Sequence, residues 1–154
     1  MSRAFVKEQD VESFEDLPDR QISELPNDVT IEGMAQINAA LAAARAAYAV
    51  AQAGDDRSAM AAASRDLRYW HARHATARVV LNSDDTTQVH FGSAVTILRD
   101  DGREQTFRIV GEDEANPSRG TISHGSPLAG ALLGKRIGDT VKAGNGDAEI
   151  RNIQ

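Results

Sequence analysis

The chain has 154 residues, no cysteine, 41% hydrophobic and only 5% aromatic residues, and 17 basic against 23 acidic side chains for a formal net charge of −6. Without cysteine, a disulfide scaffold, a thiolate metal site and a cysteine nucleophile are all excluded. No apolar run approaches the ~18 residues of a membrane span, and a net acidic chain is a poor direct binder of duplex DNA. The length predicts one domain or two small ones, and an acidic amino terminus where a signal peptide would be apolar predicts a cytoplasmic protein.

Charge divides the chain into parts. Residues 1–29 hold eight acids and three bases, and with Pro18 and Pro26 they read as an acidic, flexible tail whose apolar residues include Phe5, Val6, Phe14 and Leu17. Residues 30–80 hold four acids and six bases, every base an arginine. Residues 81–87 read as a linker carrying Asp84 and Asp85, and residues 88–154 are nearly neutral, with nine acids and eight bases.

Within residues 30–80, apolar residues recur at Met34, Ile37, Leu41, Ala44, Tyr48 and Ala51, alternating steps of three and four. The same rhythm restarts at Met60, Ala63, Leu67, Trp70, His74 and Ala77. These are a/d seams of two helices, and the alanine-rich runs favour helix strongly. Thr30 predicts the N-cap of the first helix and Gly54 its left-handed C′ residue. Folded about Gly54-Asp55-Asp56, the seams pair Ile37 with His74, Leu41 with Trp70 and Ala51 with Met60, the register of one antiparallel coiled-coil hairpin. Its arms of roughly 24 residues predict a length of about 36 Å.

The C-terminal part predicts strands. Val89 to Leu98 alternates and is rich in β-formers, Asp100-Asp101-Gly102 is a hairpin turn, and Thr106 to Val110 is the return strand. Thr121-Ile122-Ser123, Thr140-Val141-Lys142 and Ala148 to Ile153 read as further strands. Pro127 to Gly134 is a short helix with Ser126 as N-cap and Pro127 at its first position. The fold class is α+β: a helical hairpin followed by a small antiparallel sheet with one helix.

Catalytic signals are thin. His71 and His74 stand at a spacing that can bind a metal, yet no third ligand accompanies them. Glu112-Asp113-Glu114 reads as a solvated acidic loop, and no intrinsic metal or cofactor is expected. Ser123, His124 and Ser126 match no nucleophile motif.

Phe91-Gly92-Ser93-Ala94-Val95-Thr96, Phe107 to Ala115, Ile122-Ser123 and Ser126-Pro127-Leu128-Ala129-Gly130-Ala131-Leu132-Leu133-Gly134-Lys135, with Gly138-Asp139, resemble the C-terminal signature of the Gre-type bacterial transcription elongation factors. Arg65 to Trp70 resembles that family's second helix. The resemblance implies an FKBP-like C-terminal domain that docks on RNA polymerase at the rim of its secondary channel. Ser126, Pro127, Leu128 and Ala129 are the docking candidates. It also implies a coiled coil inserted down that channel, in a protein that acts on the polymerase's catalysis and is not itself an enzyme. Arg57, Arg65, Arg68 and Arg73 are the channel-contact candidates, because a cationic rod is steered toward acidic walls.

In the family, tip acids help hold the second Mg²⁺ of the polymerase, so that it cleaves backtracked RNA. Hard cations take carboxylate oxygens, and two-metal chemistry needs the second ion well placed. Here the tip reads Gly54-Asp55-Asp56-Arg57-Ser58-Ala59-Met60, with Ala59 and Met60 where the family has Glu and Asn. Asp55 and Asp56 are the Mg²⁺-assisting candidates, or turn residues. Stimulated cleavage and non-cleaving occupancy of the channel, as in the nucleoside diphosphate kinase regulator relatives, are both open on sequence. The implied partner is RNA polymerase, with indirect contact to nascent RNA, no membrane, and a monomeric factor.

Overall fold

The computed structural model describes residues 17–154. Phe5, Val6 and Phe14, and the flexibility expected of residues 1–16, lie outside the described residues. The described residues divide into two compact units, one of residues 17–24 with 37–76 and one of residues 25–36 with 77–154.

The first unit holds residues 17–24 and the helical hairpin from residue 37 on, while the start of the first helix belongs to the second unit. Helix α1 runs Ile31–Ala53 and helix α2 runs Arg57–Thr76. Ile37, Leu41, Ala44 and Ala51 of α1 and Ala63 of α2 are buried, on the seam read from the sequence. Tyr48, Met60, Leu67 and Trp70 are only half-buried. Two helices faced largely with alanine cannot enclose the larger side chains opposite. The seam also slips at the end of α2. His74 is exposed and Arg73 takes the inward position at 2% exposure, because 3.6 residues per turn drifts out of a strict heptad unless the helices supercoil to follow it.

In the second unit, β1 (Asp28–Val29) and β2 (Arg78–Val79) form a short parallel pair. Arg78 N–H donates to the Asn27 carbonyl and Val80 N–H to the Val29 carbonyl, both at 2.9 Å. Parallel strands need a long crossover connection, and here the whole helical hairpin is that connection. The acidic segment therefore gains defined structure before residue 29, and Asn27, Val29 and Thr30 are buried.

The main sheet holds β3 (Ala94–Arg99), β4 (Glu104–Val110), β5 (Thr121–Ser123), β6 (Thr140–Ala143) and β7 (Gly146–Ile153) in the order β5-β4-β3-β7-β6. All pairs are antiparallel except β4–β5. The sheet is thus mixed, because the loop over residues 111–120 carries the chain back to restart β5 alongside β4. Residues 89–93, read as the start of a strand, form a turn. Val89 instead bonds the chain just after the helix α3 (Pro127–Leu132), donating to the Lys135 carbonyl at 2.8 Å and accepting from Gly134 N–H at 2.9 Å. The core comprises Val95 and Ile97 of β3, Ile109, Ile122, Val141, Ala148, Ile150 and Ile153, closed by Ala129 and Leu132 of α3.

Candidate functional site

The hairpin tip is built by two linked caps. Asp55 N–H donates to the Gln52 carbonyl at 3.2 Å and Asp56 N–H to the Ala51 carbonyl at 2.9 Å, the paired bonds of a Schellman motif. Its left-handed residue is Asp55, at φ 51°, and not the expected Gly54. Asp, like Asn, is among the few side chains that tolerate this region. Asp56 then starts α2, its Oδ1 accepting the Ala59 N–H at 3.0 Å. Both carboxylates belong to exposed residues, but one is engaged in capping. Replacing Asp56 by alanine is expected to cost about 1 kcal/mol, read as faster amide exchange over residues 58–60 with the rest of α2 unchanged.

Behind the tip, Tyr48, Arg57, Met60, Ala61 and Ser64 line a shallow depression of about 160 Å³. Arg57 is exposed. Arg68 is not a free cation: its Nε donates to Asp19 Oδ1 at 2.5 Å and its Nη1 to Ser64 Oγ at 3.0 Å. Arg65 is half-buried. Arg73, expected to contact a channel wall, is buried and presents no guanidinium to solvent.

The docking candidates at α3 also separate. Ser126 is the N-cap, its Oγ accepting the Ala129 N–H at 3.3 Å. Ala129 is fully buried in the core and cannot touch a partner, Leu128 packs against that core, and Pro127 is exposed.

One structural residue escaped the sequence reading. Glu114, read as part of a solvated loop, accepts from the Thr30 N–H at 3.0 Å, from the Thr30 hydroxyl, and from the Gly111 N–H at 3.2 Å. Thr30 in turn caps α1 as expected, its Oγ1 accepting the Gly33 N–H at 2.9 Å. A carboxylate here meets the positive end of a helix and three donors. The approach is close: a Cβ on Gly33 would overlap the Glu114 carboxylate, and one on Gly111 would stand 2.6 Å from the Asp28 carbonyl oxygen. Beside it Arg78 Nε donates to Asp28 Oδ1 at 2.7 Å, and that bond, followed by charge attraction, raises the Arg78 pKa. No local pattern announces Glu114, because its partners lie up to 84 residues away.

In the linker, Asp85 accepts from the Thr87 hydroxyl and N–H, both at or below 2.8 Å, and pairs with His90 Nε2 at 3.0 Å. The Thr87 hydroxyl bond first, then the His90 bond, hold its carboxyl well below the usual range. A depressed pKa stabilises the fold above the ordinary Asp range near pH 4 and loses that contribution as pH falls below it. The thermal stability gap between wild type and Asp85→Asn is therefore expected to be full at pH 6 and to close on acidification.

Comparison with known proteins identifies the family. The family profile described as "Transcription elongation factor, GreA/GreB, C-term" matches residues 84–152. The transcription elongation factor GreA of Chloroflexus aggregans is 38% identical over 124 residues, covering 77% of this chain and 78% of that protein. GreB of Neisseria meningitidis serogroup B is 47% identical over 73 residues, covering 45% of each. The crystal structure of GreA factor homolog 1 of Thermus thermophilus aligns over 84% of this chain and 99% of that one, with 20% identity and a TM-score of 0.40. The chain belongs to the GreA/GreB family of transcription elongation factors.

Proposed function

We propose that this protein is a transcription elongation factor that binds RNA polymerase, lays its helical hairpin in the secondary channel, and alters the polymerase's activity without being an enzyme itself. The observation that carries the reading is the family's C-terminal domain on the same chain as an exposed-tip helical hairpin. The hairpin segment has six arginines against four acids, and a rod of that sign is drawn toward acidic walls. It works as a monomer and meets nascent RNA only through the polymerase.

The tip favours occupancy of the channel without cleavage. Asp56 is engaged as an N-cap, and the two positions after Ser58 are Ala59 and Met60, with no further acid. A second reading, stimulated cleavage, is favoured by one observation: Asp55 and Asp56 are both exposed. Their carboxylates would then supply oxygen ligands toward a Mg²⁺ that belongs to the polymerase. A stalled, backtracked elongation complex decides between the two. The expected result is no release of short 3′ RNA fragments, together with displacement of an authentic Gre factor. Fragment release that disappears in Asp55→Ala/Asp56→Ala would establish the second reading, and neither cleavage nor displacement would overturn both.

A further inference from the structure

Residues 17–24 share a compact unit with α2, and two consecutive side chains engage one stretch of it. Asp19 Oδ1 accepts from Arg68 Nε at 2.5 Å. Arg20 places its guanidinium 3.8 Å from the Tyr69 ring centroid and 5.5 Å from that of Trp70, while its Nη1 donates to Asp66 Oδ1 at 3.2 Å. With the Arg68–Ser64 bond, the contacts run along consecutive turns of α2 from residue 64 to residue 70.

We infer that residues 17–24 form a displaceable strap that covers the cationic, aromatic face of α2 in the free protein and leaves it when that face meets an acidic partner surface. The inference rests on the proposed placement of the hairpin in a polymerase channel. Its first support is charge. Arg68 is among the few cations of the hairpin, and Asp19 neutralises it. The chain before it is mainly acidic, with Glu8, Asp10, Glu12, Glu15 and Asp16 against Arg3 and Lys7. Such a segment offers α2 the same chemistry that an acidic channel wall would offer.

The second support is how the strap is held. In the Arg68–Asp19 pair the side chains are 49% and 70% exposed, and in the Arg20–Asp66 pair 37% and 44%. Pairs this exposed contribute little each and are screened by salt, and a surface cation–π contact is modest. Ile22 is 45% exposed and anchors nothing in a core. Contacts of this exposed, salt-screened kind let Asp19 and Arg20 come away from α2 readily. While the strap stays, it lowers the apparent affinity of any partner that needs the same face by the fraction of molecules left open.

The test uses the full chain, and Trp70 is its only tryptophan, so emission and acrylamide quenching report on the strap directly. Asp19→Asn/Arg20→Gln is expected to make Trp70 more quenchable at low salt. Wild type should approach the variant near 1 M salt, where the Debye length falls to about 3 Å. At low salt the variant is expected to bind RNA polymerase at least threefold more tightly than wild type, with the gap closing as salt rises. Unchanged quenching would overturn the strap. Greater quenching with equal or weaker binding would make residues 17–24 a brace on α2 and overturn the masking role. If the double variant loses helical circular dichroism, Asp19→Asn alone, which touches only the Arg68 pair, is measured against the same expectations. The wild-type titration separates the two levels: no binding by wild type overturns the proposed function and the strap's role with it.

Discussion

Replacing Glu114 by alanine is expected to destabilise the unit of residues 25–36 and 77–154 by about 3 kcal/mol, since bonds to a charged acceptor contribute roughly 1.5–3 kcal/mol each and do not add fully. Two of the freed donors are backbone N–H groups of Thr30 and Gly111, and Thr30 and Gly111 are buried. For a unit of this size a loss of that magnitude lowers Tm by more than about 10 °C. Glu114→Gln keeps the shape and loses the charge, and belongs between the two. Gly33→Ala sharpens the point. Alanine in a helix is better than glycine by about 1 kcal/mol, so propensity alone predicts stabilisation. The added Cβ would overlap the Glu114 carboxylate, which must move and break its bonds to Thr30. The expected net result is destabilisation by about 1–2 kcal/mol. A stabilised Gly33→Ala, or a Glu114→Ala within about 1 kcal/mol of wild type, would remove Glu114 from this role.

Leu132→Ala is expected to cost about 3 kcal/mol, in the range of buried leucine truncations that leave a cavity. Leu132 is fully buried on α3, which packs against β5 and β6, so nothing flexible is at hand to fill the space. Chemical denaturation checks the value: the midpoint falls while the slope is unchanged. Leu133, the next residue, is 37% exposed, and Leu133→Ala is expected to stay within about 0.5 kcal/mol of wild type. The contrast between neighbours isolates core packing, since Leu133 is the exposed C-cap just past the end of α3.

The seam of the hairpin was legible in the sequence because helical periodicity is local: Ile37, Leu41, Ala44, Ala51 and Ala63 are buried where spacing puts them. It failed at Arg73 and His74, where the heptad count placed His74 inward and the accumulated phase of the helix chose Arg73. The turn was placed correctly, but its left-handed residue is Asp55 and not Gly54. Composition favours glycine at such a position, whereas the bonds to the Gln52 and Ala51 carbonyls set the C′ position one residue later. Thr121-Ile122-Ser123 was read as a short strand and α3 from its cap residues, and Ser126 does cap α3. The parallel β4–β5 pairing was not legible, because direction is set by the path of the loop between strands and leaves no mark on a three-residue strand.

For the candidate site, the sequence names residues without their neighbours. Residue type says what a side chain can do, but not which neighbour has already engaged it. Asp56 carries the carboxylate expected of a cation ligand and spends it on the Ala59 N–H. Arg68 carries the expected charge and meets Asp19. Ala129 lies within the docking motif and inside the core. Glu114, dismissed with its acidic neighbours, ties the start of α1 to the loop after β4. Long-range pairings of this kind require the fold.

The absence of cysteine from all 154 residues makes the hairpin tip addressable by a single introduced thiol. Ser58, exposed at the tip, can be changed to cysteine as the sole thiol and loaded with a short thiol-specific photo-crosslinker. With the purified cognate RNA polymerase, a crosslink is expected to polymerase segments lining the secondary channel near the catalytic centre, competed away by an authentic Gre factor. A crosslink confined to the outer surface of the enzyme, or none at protein concentrations that saturate Gre factor binding, would contradict the placement of the hairpin in that channel.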